Sequence, residues 1–243
     1  MDGPRVAVVT GGAKGLGRAS ALRLAEDGRD LVVWDVLDDA GADTVAHVQA
    51  MGRRGAYRHV DVRDPAAVEA AAAAARAAFG HVDILVAAAG IIGRDAPSAL
   101  ATPLDEWHDV LAVNLTGTYL CLRAHVAGMA ARGWGRTVTF TSGARDGLPA
   151  LVPYGVSKAG VLTLTRAFAK EFTGNGVLIN AVEPGRALTD MVVTRVPRTV
   201  IENPGVPIGR YANPEEIAEV VAFLCSERNT YMSGGVVPVR GGG

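Results

Sequence analysis

Tyr154 and Lys158 are separated by one helical turn in the segment Tyr-Gly-Val-Ser-Lys. On a helix, this i, i+4 spacing places both side chains on the same face. A nearby ammonium group stabilises a phenolate, so it would lower the tyrosine pKa from about 10 toward neutral. The pair could then donate a proton to a ketone oxygen or take one from an alcohol. The same spacing also occurs by chance on many helices.

Ser142 follows a predicted strand at 136–140. Ligands of doubly wound sheets bind outside the carboxyl ends of the strands. The Ser142 hydroxyl could therefore hold a substrate oxygen beside Tyr154. An ordinary turn serine could also occupy this position.

The turn at 10–17, Thr-Gly-Gly-Ala-Lys-Gly-Leu-Gly, follows the first predicted strand and opens the first predicted helix. Glycines permit positive φ and let the backbone approach a pyrophosphate closely. The helix N-terminus offers unpaired N–H groups and the positive end of its dipole. The order of strand, glycines, helix and second strand predicts a dinucleotide-binding turn. A tight turn without a ligand is the alternative.

Asp35 ends the second predicted strand, roughly 20 residues after Gly17, which is near the spacing of the acid that binds the adenosine ribose hydroxyls. A carboxylate there repels a 2′-phosphate, so we expect NAD(H) to be preferred. NADP(H) stays possible because Lys14 could meet that phosphate. Asp35 could instead cap a helix or a turn. Asp61 closes the third strand, where it could bind the adenine amino group or cap a turn.

Apolar runs of strand length alternate with longer Ala-rich runs of helical length. Near-continuous Val, Ile and Leu strands separated by helices indicate a parallel sheet covered on both faces. We therefore expect one α/β domain over residues 1–243, with a Rossmann-type doubly wound parallel sheet in three αβα layers. Strands are predicted at 5–9, 30–34, 57–60, 82–87, 136–140, 177–182 and 236–239. Helices are predicted at 13–27, 40–51, 65–79 (N-capped by Asp64), 104–129, 153–172 and 214–225.

Composition argues against several classes of function. The net charge is −1, and Lys and Arg are scattered among acids, unlike a nucleic-acid-binding surface. No apolar stretch reaches the ~20 residues of a membrane-spanning helix, and the first residues lack signal-peptide features. Cys121 and Cys225 lie in apolar helical segments and are expected to be buried thiols. We expect a cytoplasmic protein without nucleic-acid or membrane partners, and we predict no metal site.

Together these motifs resemble those of the short-chain dehydrogenase/reductase family over nearly the whole chain. Single members of the set are common in proteins, but the ordered set is specific. The resemblance implies a nicotinamide-dependent oxidoreductase that moves a hydride between NAD(H) and an alcohol/ketone pair. The set comprises 10–17, Asp61, Val62, Ala89, Gly90, Asn114 within 113–117, Ser142, Tyr154, Lys158, Pro184, Gly185 and 214–218.

The resemblance also implies roles for single catalytic residues. Tyr154 would transfer the proton, Ser142 would polarise the carbonyl, and Lys158 would bind the nicotinamide ribose. Asn114 would hold a water in a proton relay that reaches Lys158. The helices that carry Asn114 and Tyr154 would form the family's usual homotetramer or homodimer.

The implied cofactor site extends over both halves of the chain. Thr189 would contact the nicotinamide amide and residues 182–185 would line the ring. Val62, Ala89 and Gly90 would flank the adenosine half. The residues expected to bind the cofactor are Gly11, Lys14, Gly15, Leu16, Gly17, Asp35, Asp61, Val62, Ala89, Gly90, Tyr154, Lys158, Pro184, Gly185 and Thr189.

Four departures from the family pattern bear on these expectations. The usual Asn-Asn-Ala-Gly is Ala-Ala-Ala-Gly at 87–90, which predicts some lost stability or a looser adenosine pocket. The interval from Ser142 to Tyr154 is one residue shorter than is common, so Thr141 is a rival hydroxyl. Arg240 replaces the usual acid before the terminal glycines. The chain stops at Gly243, so we expect little tail to cover a neighbour's site.

The substrate pocket is expected to be mostly apolar. Segment 189–206 has weak periodicity and several prolines, and is either a lid over the substrate or a plain surface loop. Arg145 and Arg186 could grip an anionic group or be solvated at the rim. The residues predicted to line the pocket are Ile91, Ile92, Arg145, Leu148, Val152, Arg186 and Met191.

Three functions are compatible with these patterns. The leading hypothesis is an NAD(H)-linked secondary alcohol dehydrogenase or ketoreductase acting on a small molecule. The same fold could instead catalyse a redox-neutral dehydration or epimerisation, or only bind a dinucleotide. The intact set of Asn114, Ser142, Tyr154 and Lys158 argues against a pure binding protein.

Overall fold

Seven parallel strands form one sheet in the computed structural model, which describes residues 3–243. The strands are β1 (Val6–Thr10), β2 (Asp30–Asp35), β3 (Gly55–His59), β4 (Ile84–Ala87), β5 (Gly135–Phe140), β6 (Val177–Pro184) and β7 (Val236–Val239). Their order across the sheet is β3-β2-β1-β4-β5-β6-β7. The predicted strands and the doubly wound parallel topology are confirmed.

Helices cover both faces of this sheet. They are α1 (Gly15–Glu26), α2 (Asp38–Ala50), α3 (Pro65–Phe79), α4 (Leu104–Leu111), α5 (Thr118–Ala131), α6 (Val152–Phe172), α7 (Asp190–Val193), α8 (Arg198–Glu202) and α9 (Pro214–Leu224). Helices α3, α5 and α6 pack on one face, and α1, α2 and α9 pack on the other. The result is the expected three-layer αβα arrangement.

Successive strand residues enter opposite cores, because side chains alternate across a sheet. In β1, Val8 packs toward α3 and α5, and Val9 packs toward α1. The same alternation places Val32 and Val33 of β2 in the two cores. Both faces are buried, so most strand positions are apolar, with exceptions such as Thr137 and Thr139 of β5 and Asn180 of β6.

The carboxyl ends of β1 and β4 form a crevice. The chain runs from β1 outward to β2 and β3, then returns to place β4 on the other side of β1. A doubly wound sheet binds its ligands at such a switch in strand order. The glycine-rich turn at 10–17 follows β1 and therefore lies at this position.

Two predicted segments differ in detail from expectation. The predicted helix at 104–129 contains a π-helical turn, Ala112–Gly117, between α4 and α5. Such a turn does not break the helical course, so apolar periodicity does not reveal it, and it is frequent at functional sites. Segment 189–206, predicted to be irregular, contains the short helices α7 and α8.

Capping residues begin two of the helices, and the one at Asp64 is the cap that the sequence predicts. Asp64 Oδ1 accepts hydrogen bonds from the N–H groups of Ala66 and Ala67 at 2.8 and 3.2 Å. Asn213 and Glu216 form a reciprocal capping box at the start of α9. Such caps satisfy N–H groups that the helix itself leaves free.

The two cysteines are unbridged and lie in different core clusters. Burial raises the pKa of Cys121 and of Cys225 to about 12. The prediction of buried thiols is confirmed. Within residues 3–243, no helix combines the length and the hydropathy needed to cross a membrane.

Candidate active site

The glycine-rich turn connects β1 to α1. Gly11 and Gly15 have φ angles of +64° and +54°, which residues with a Cβ rarely adopt. A Cβ on Gly17 would lie 2.1 Å from the carbonyl oxygen of Gly11. The turn therefore requires glycine both for its backbone conformation and for close packing.

The N-terminus of α1 has no side-chain cap. Lys14 occupies the N-cap position without a side-chain hydrogen bond, and the first turn contains no acid. A phosphate is a ligand that such a helix terminus favours. The turn thus fits the pyrophosphate of a dinucleotide, which Gly15, Leu16 and Gly17 would hold.

Asp35 ends β2 and binds the glycine-rich turn. Its Oδ2 accepts a hydrogen bond from the N–H of Ala13 at 2.9 Å. Its Oδ1 accepts from Val36 and Leu37 at 2.8 and 3.1 Å. Asp35 therefore caps a turn, which the sequence analysis gives as the alternative to binding the ribose. Each carboxylate oxygen can accept more than one bond, so this role is compatible with binding of ribose hydroxyls.

Two cations beside the glycine-rich turn have acidic partners. Lys14 Nζ lies 4.0 Å from Oδ2 of Asp190, and Arg18 Nη2 lies 3.3 Å from Oδ2 of Asp43. These pairs offset the positive charge that would attract a 2′-phosphate.

The expected adenosine-binding residues lie around the ends of β3 and β4. The carboxylate of Asp61 binds the guanidinium of Arg63, with Nη2 at 2.7 Å, and this hydrogen bonding lowers the pKa of Asp61. Val62 is buried against Gly117 of the π-helical turn. The N–H of Ala89 donates to Thr10 Oγ1 at 3.1 Å, so β1 and the chain after β4 are joined without the family's usual amides.

Tyr154 and Lys158 lie in the first two turns of α6, on the helix that the sequence predicts. Lys158 is buried, and its Nζ donates to the carbonyl oxygen of Phe140 at 2.9 Å. The same Nζ lies 5.6 Å from the centroid of the Tyr154 ring. A Cβ on Gly90 would lie 3.7 Å from this Nζ, so the ammonium lies between the chain after β4 and the end of β5.

Burial dominates the electrostatics of this pair. It raises the pKa of Tyr154 above its ordinary value, an effect that a hydrogen bond with Ser142 partly offsets. It lowers the pKa of Lys158 to about 8. Both shifts have one cause, because surroundings of low polarity disfavour the phenolate and the ammonium alike. The lowering of the Tyr154 pKa expected from the i, i+4 spacing is therefore not found, and Lys158 is the member of the pair that loses its proton near pH 8.

Asn114 lies in the π-helical turn and connects three segments. Its Nδ2 donates to the carbonyl oxygen of Ile91 at 2.8 Å and to Ser157 Oγ at 3.0 Å. Its Oδ1 accepts from the N–H of Ile91 at 2.8 Å. Both amide hydrogens are used, so a relay water could bind only to acceptor oxygens of Asn114.

The two rival hydroxyls at the end of β5 have different surroundings. Thr141 is buried, and its Oγ1 donates to the carbonyl oxygen of Lys158 at 3.0 Å. Ser142 is partly exposed, accepts a bond from the N–H of Ala144 at 3.3 Å, and acts on Tyr154. Thr141 therefore supports the helix that carries Lys158, and Ser142 is the hydroxyl beside Tyr154.

The expected nicotinamide wall is formed by the end of β6. The N–H of Gly185, which follows Pro184, donates to the carbonyl oxygen of Val239 at 2.8 Å. The Thr189 methyl carbon lies 3.4 Å from where a Cβ on Gly15 would be. The structure thus brings the start of segment 189–206 to the glycine-rich turn.

Apolar residues expected around the substrate are accessible to solvent. Ile91, Leu148 and Met191 are exposed, and Ile92 and Val152 are partly exposed. Two arginines tie segment 189–206 to neighbouring parts of the chain through main-chain carbonyl oxygens. Arg186 donates to Pro204, and Arg195 donates to Gly93.

Glu183 is a charged residue near the site that sequence reasoning missed. It is 1% exposed and forms ion pairs with both Arg145 and Arg240. Arg240 thus has its acidic partner on β6. Arg145, expected either to grip an anion or to be solvated, is instead held by a buried carboxylate. One feature of the sequence could have revealed it: Glu183 is an acid in an otherwise mostly apolar strand, directly before Pro184.

Glu183→Gln should lower the free energy of unfolding by about 3 kcal/mol, because it leaves two guanidinium groups around a neutral amide. Urea unfolding followed by circular dichroism measures the change. Asp146→Asn is the matched control, since Asp146 lies 3.7 Å from the same Arg145 but is 74% exposed. The control should lose less than about 0.5 kcal/mol. Wild-type stability of Glu183→Gln would show that the buried ion pairs contribute nothing.

No group of three or more His, Cys, Asp or Glu side chains within residues 3–243 is arranged to hold a metal ion. The chemistry of the cleft is that of a phenol, an ammonium, a hydroxyl and an amide. These groups move and stabilise protons beside a turn suited to phosphate.

Comparison with known proteins matches this arrangement. Residues 11–243 match the family model described as enoyl-(acyl carrier protein) reductase. The chain is 41% identical to cis-4-hydroxycyclohexanecarboxylate dehydrogenase from Sinomonas cyclohexanicum, over 98% of this chain and 96% of that protein. It is 37% identical to 2-dehydro-3-deoxy-L-rhamnonate dehydrogenase (NAD(+)) from Sphingomonas sp., over 98% and 94% respectively.

The crystal structure of levodione reductase is similar over nearly its whole length. It superposes with a TM-score of 0.94 at 35% identity, and the match covers 98% of this chain and 96% of that one. Matches of this extent agree with the ordered motifs and with the fold that carries them. The chain therefore belongs to the short-chain dehydrogenase/reductase family and is an oxidoreductase of the dehydrogenase/ketoreductase type.

Proposed function

We propose that the protein interconverts a secondary alcohol and a ketone by hydride transfer with NAD(H), using Tyr154 as general acid/base. One observation carries the proposal: Lys158 and Asn114 meet at Gly90, the Lys158 Nζ lies 5.6 Å from the centroid of the Tyr154 ring, and the glycine-rich turn lies at the same sheet edge. A Cβ on Gly90 would lie 3.3 Å from Asn114 Oδ1 and 3.7 Å from Lys158 Nζ. Because Gly90 has no Cβ, the space beside it stays open to both of these polar groups.

The residues divide the reaction as follows. The bound nicotinamide supplies or accepts the hydride. Ser142 hydrogen-bonds the substrate oxygen and orients it toward Tyr154. In ketone reduction Tyr154 gives its phenolic proton to that oxygen, and in alcohol oxidation its phenolate takes the proton. The Lys158 ammonium stabilises the phenolate.

Proton exchange with solvent passes Lys158 and a water held by Asn114. The side-chain amide of Asn114 is bound on both hydrogens, so its role is to fix the π-helical turn and offer acceptor oxygens. The main-chain oxygen of Asn114 already accepts from Thr118 Oγ1 at 2.7 Å. A carbonyl oxygen has a second lone pair, which can bind the water.

The proposed cofactor is NAD(H) in preference to NADP(H). Asp35 brings a negative charge to the end of β2, and the nearby cations Lys14 and Arg18 are paired with acids. A 2′-phosphate would face this carboxylate without a free counter-charge. The 37% identical relative named for NAD(+) supports the same choice.

Asp35→Asn should lower the kcat/KM preference for NAD⁺ over NADP⁺ by at least about tenfold, because it removes repulsion of the 2′-phosphate. Asparagine keeps an acceptor oxygen for the N–H groups of Val36 and Leu37 but loses the acceptor for the N–H of Ala13, so the affinity for both cofactors should fall while their ratio reports the charge. Steady-state kinetics with both cofactors measure the ratio. Asp39→Ala, an exposed acid on the same stretch, should leave the ratio nearly unchanged. An unaltered ratio in Asp35→Asn would show that Asp35 does not face the ribose.

A matched substrate panel tests the reaction itself. The panel contains cis-4-hydroxycyclohexanecarboxylate, 3-hydroxybutanoate, their methyl esters, cyclohexanol and the corresponding ketones, each with both cofactors. Turnover should change absorbance at the reduced-nicotinamide band and yield the ketone or alcohol. Conversion without that change would indicate a redox-neutral enzyme, and cofactor binding without any conversion would indicate a binding protein.

The proposed assembly is a homotetramer or homodimer built through the helices that carry Asn114 and Tyr154. Tyr119 on α5 is 40% exposed and Val156 on α6 is 43% exposed, so these helices present apolar surface. Light scattering of the purified protein measures the mass. The two buried thiols, in separate cores, are compatible with the proposed cytoplasmic location.

A further inference from the structure

Most charged side chains around the substrate cleft are neutralised by a partner. Glu183 is shared by Arg145 and Arg240. Arg94 binds Glu106 with Nε at 2.7 Å. On segment 189–206, Asp190 pairs with Lys14 and Arg198 pairs with Glu202 at 2.7 Å. Each of these cations therefore has a carboxylate within 4.0 Å, and Arg145 has a second one, Asp146, at 3.7 Å.

Arg186 and Arg195 differ from that pattern. Each guanidinium donates to a main-chain carbonyl oxygen, Arg186 to Pro204 and Arg195 to Gly93. No carboxylate of residues 3–243 lies within 4.0 Å of either guanidinium, the exposed Asp95 included. A guanidinium has five N–H donors, so both groups keep donors and a full charge for an anion.

Both guanidinium groups connect segment 189–206 to residues next to the expected site. Arg186 directly follows Gly185, the expected nicotinamide wall, and donates to Pro204. Arg195 donates to Gly93, close in sequence to Ile91, whose main chain binds the Asn114 amide. The two arginines therefore tie segment 189–206 to the end of β6 and to the chain beside Asn114.

The other residues predicted to line the substrate pocket are apolar. Ile92, Leu148 and Met191 supply aliphatic surface, and they are at least partly exposed. A substrate that fits this pocket has an apolar body, a hydroxyl that reaches Tyr154, and a negative group that remains near the rim. A carboxylate suits the guanidinium geometry, because its two oxygens can take two parallel N–H donors.

We infer that the substrate is a carboxylate-bearing secondary alcohol or its keto acid, recognised through Arg186 and Arg195. The inference rests on the proposed function, and it adds the substrate class. Arg186 and Arg195 are specificity-determining residues, and Arg145 is not one, because its charge is taken by Glu183.

The test compares each hydroxy acid of the panel with its methyl ester, which keeps the carbon skeleton and removes the charge. The wild-type enzyme should show a kcat/KM at least about tenfold higher for an acid than for its ester. Raising the ionic strength should raise KM for the acid and leave the ester unaffected. A hydroxyalkyl phosphate used in place of the acids should be a poorer substrate; a better one would overturn the choice of carboxylate.

Arg186→Gln and Arg195→Gln should each lower kcat/KM for the preferred acid by about tenfold and leave the ester within about twofold. The matched control is Arg198→Gln, on the same segment, 91% exposed in its side chain and paired with Glu202. It should behave like the wild type. An acid preference that survives in the double variant Arg186→Gln/Arg195→Gln would overturn the assignment to these residues.

Binding provides a readout independent of turnover. Cyclohexanecarboxylate, which lacks the hydroxyl, should bind the enzyme–NADH complex more tightly than cyclohexanecarboxamide in a fluorescence titration, and the double variant should lose the difference. Equal binding, with equal kcat/KM for acids and esters, overturns the carboxylate inference but leaves the oxidoreductase function standing. Absence of any nicotinamide-dependent turnover across the whole panel overturns the proposed function.

Discussion

Tyr154→Phe is expected to reduce kcat by at least about a thousandfold in both directions of the reaction, since it removes the group that transfers the proton. The dissociation constant of NADH should change by less than about threefold, which is below 1 kcal/mol. The aromatic ring remains, so the packing at the start of α6 is kept. Initial rates with the best substrate pair and fluorescence titration with NADH measure the two quantities.

The contrast between these two quantities makes the test specific. A structural defect would weaken cofactor binding and lower the melting temperature along with kcat. Tyr154→Phe is expected to change kcat alone. Tyr231→Phe is the matched control, because Tyr231 is 96% exposed and outside the cleft. It should retain wild-type rates. Turnover of Tyr154→Phe near the wild-type rate would remove Tyr154 from the mechanism, and Ser142 would then be the next proton donor to examine.

Local spacing was sufficient to predict the parts of the site that lie within one element or one connection. Tyr154 and Lys158 share a face because a helix repeats every 3.6 residues. The glycine-rich turn is positioned by β1 and α1, which directly precede and follow it. In both cases the sequence neighbours are also the spatial neighbours, so a pattern in the chain carries the geometry.

Contacts between distant segments were not predictable in the same way. Glu183 meets Arg145 and Arg240 only because β6 lies next to both β5 and β7 in the sheet. The contact of Arg195 with Gly93 joins two segments that lie far apart in the sequence. The sequence around an arginine does not reveal its partner. Only the structure therefore shows which arginines lack a carboxylate partner and could bind a substrate.

Asp35 and Asn114 illustrate an intermediate case. Their positions follow from the motifs, but most of their hydrogen-bonding capacity is used by the main chain around them. Each side chain therefore holds the main chain of the site in place as well as taking part in binding or catalysis. Substitutions at these positions need isosteric variants, because alanine would remove the structural role together with the chemical one.

Lys158→Met is expected to move the pH dependence of the reaction by about two units or more. In the wild type the Tyr154–Lys158 pair loses its first proton near pH 8, because burial lowers the pKa of Lys158 to about 8. Oxidation needs the pair to accept a proton, so its kcat/KM should rise with pH through about 8. Reduction needs the pair to donate a proton, so its kcat/KM should fall over the same range.

The variant leaves Tyr154 as a lone buried phenol, whose pKa burial holds above the ordinary value of about 10. At pH 8 the deprotonated fraction, and with it the oxidation rate, should fall by at least about fiftyfold. Lys170→Met, an exposed lysine on the same helix, should keep the wild-type profile. Rate–pH profiles in both directions separate the two possible roles of Lys158. A lower rate with an unmoved profile would mean that Lys158 only binds the cofactor. An upward shift of the profile would mean that its charge sets the proton affinity of Tyr154.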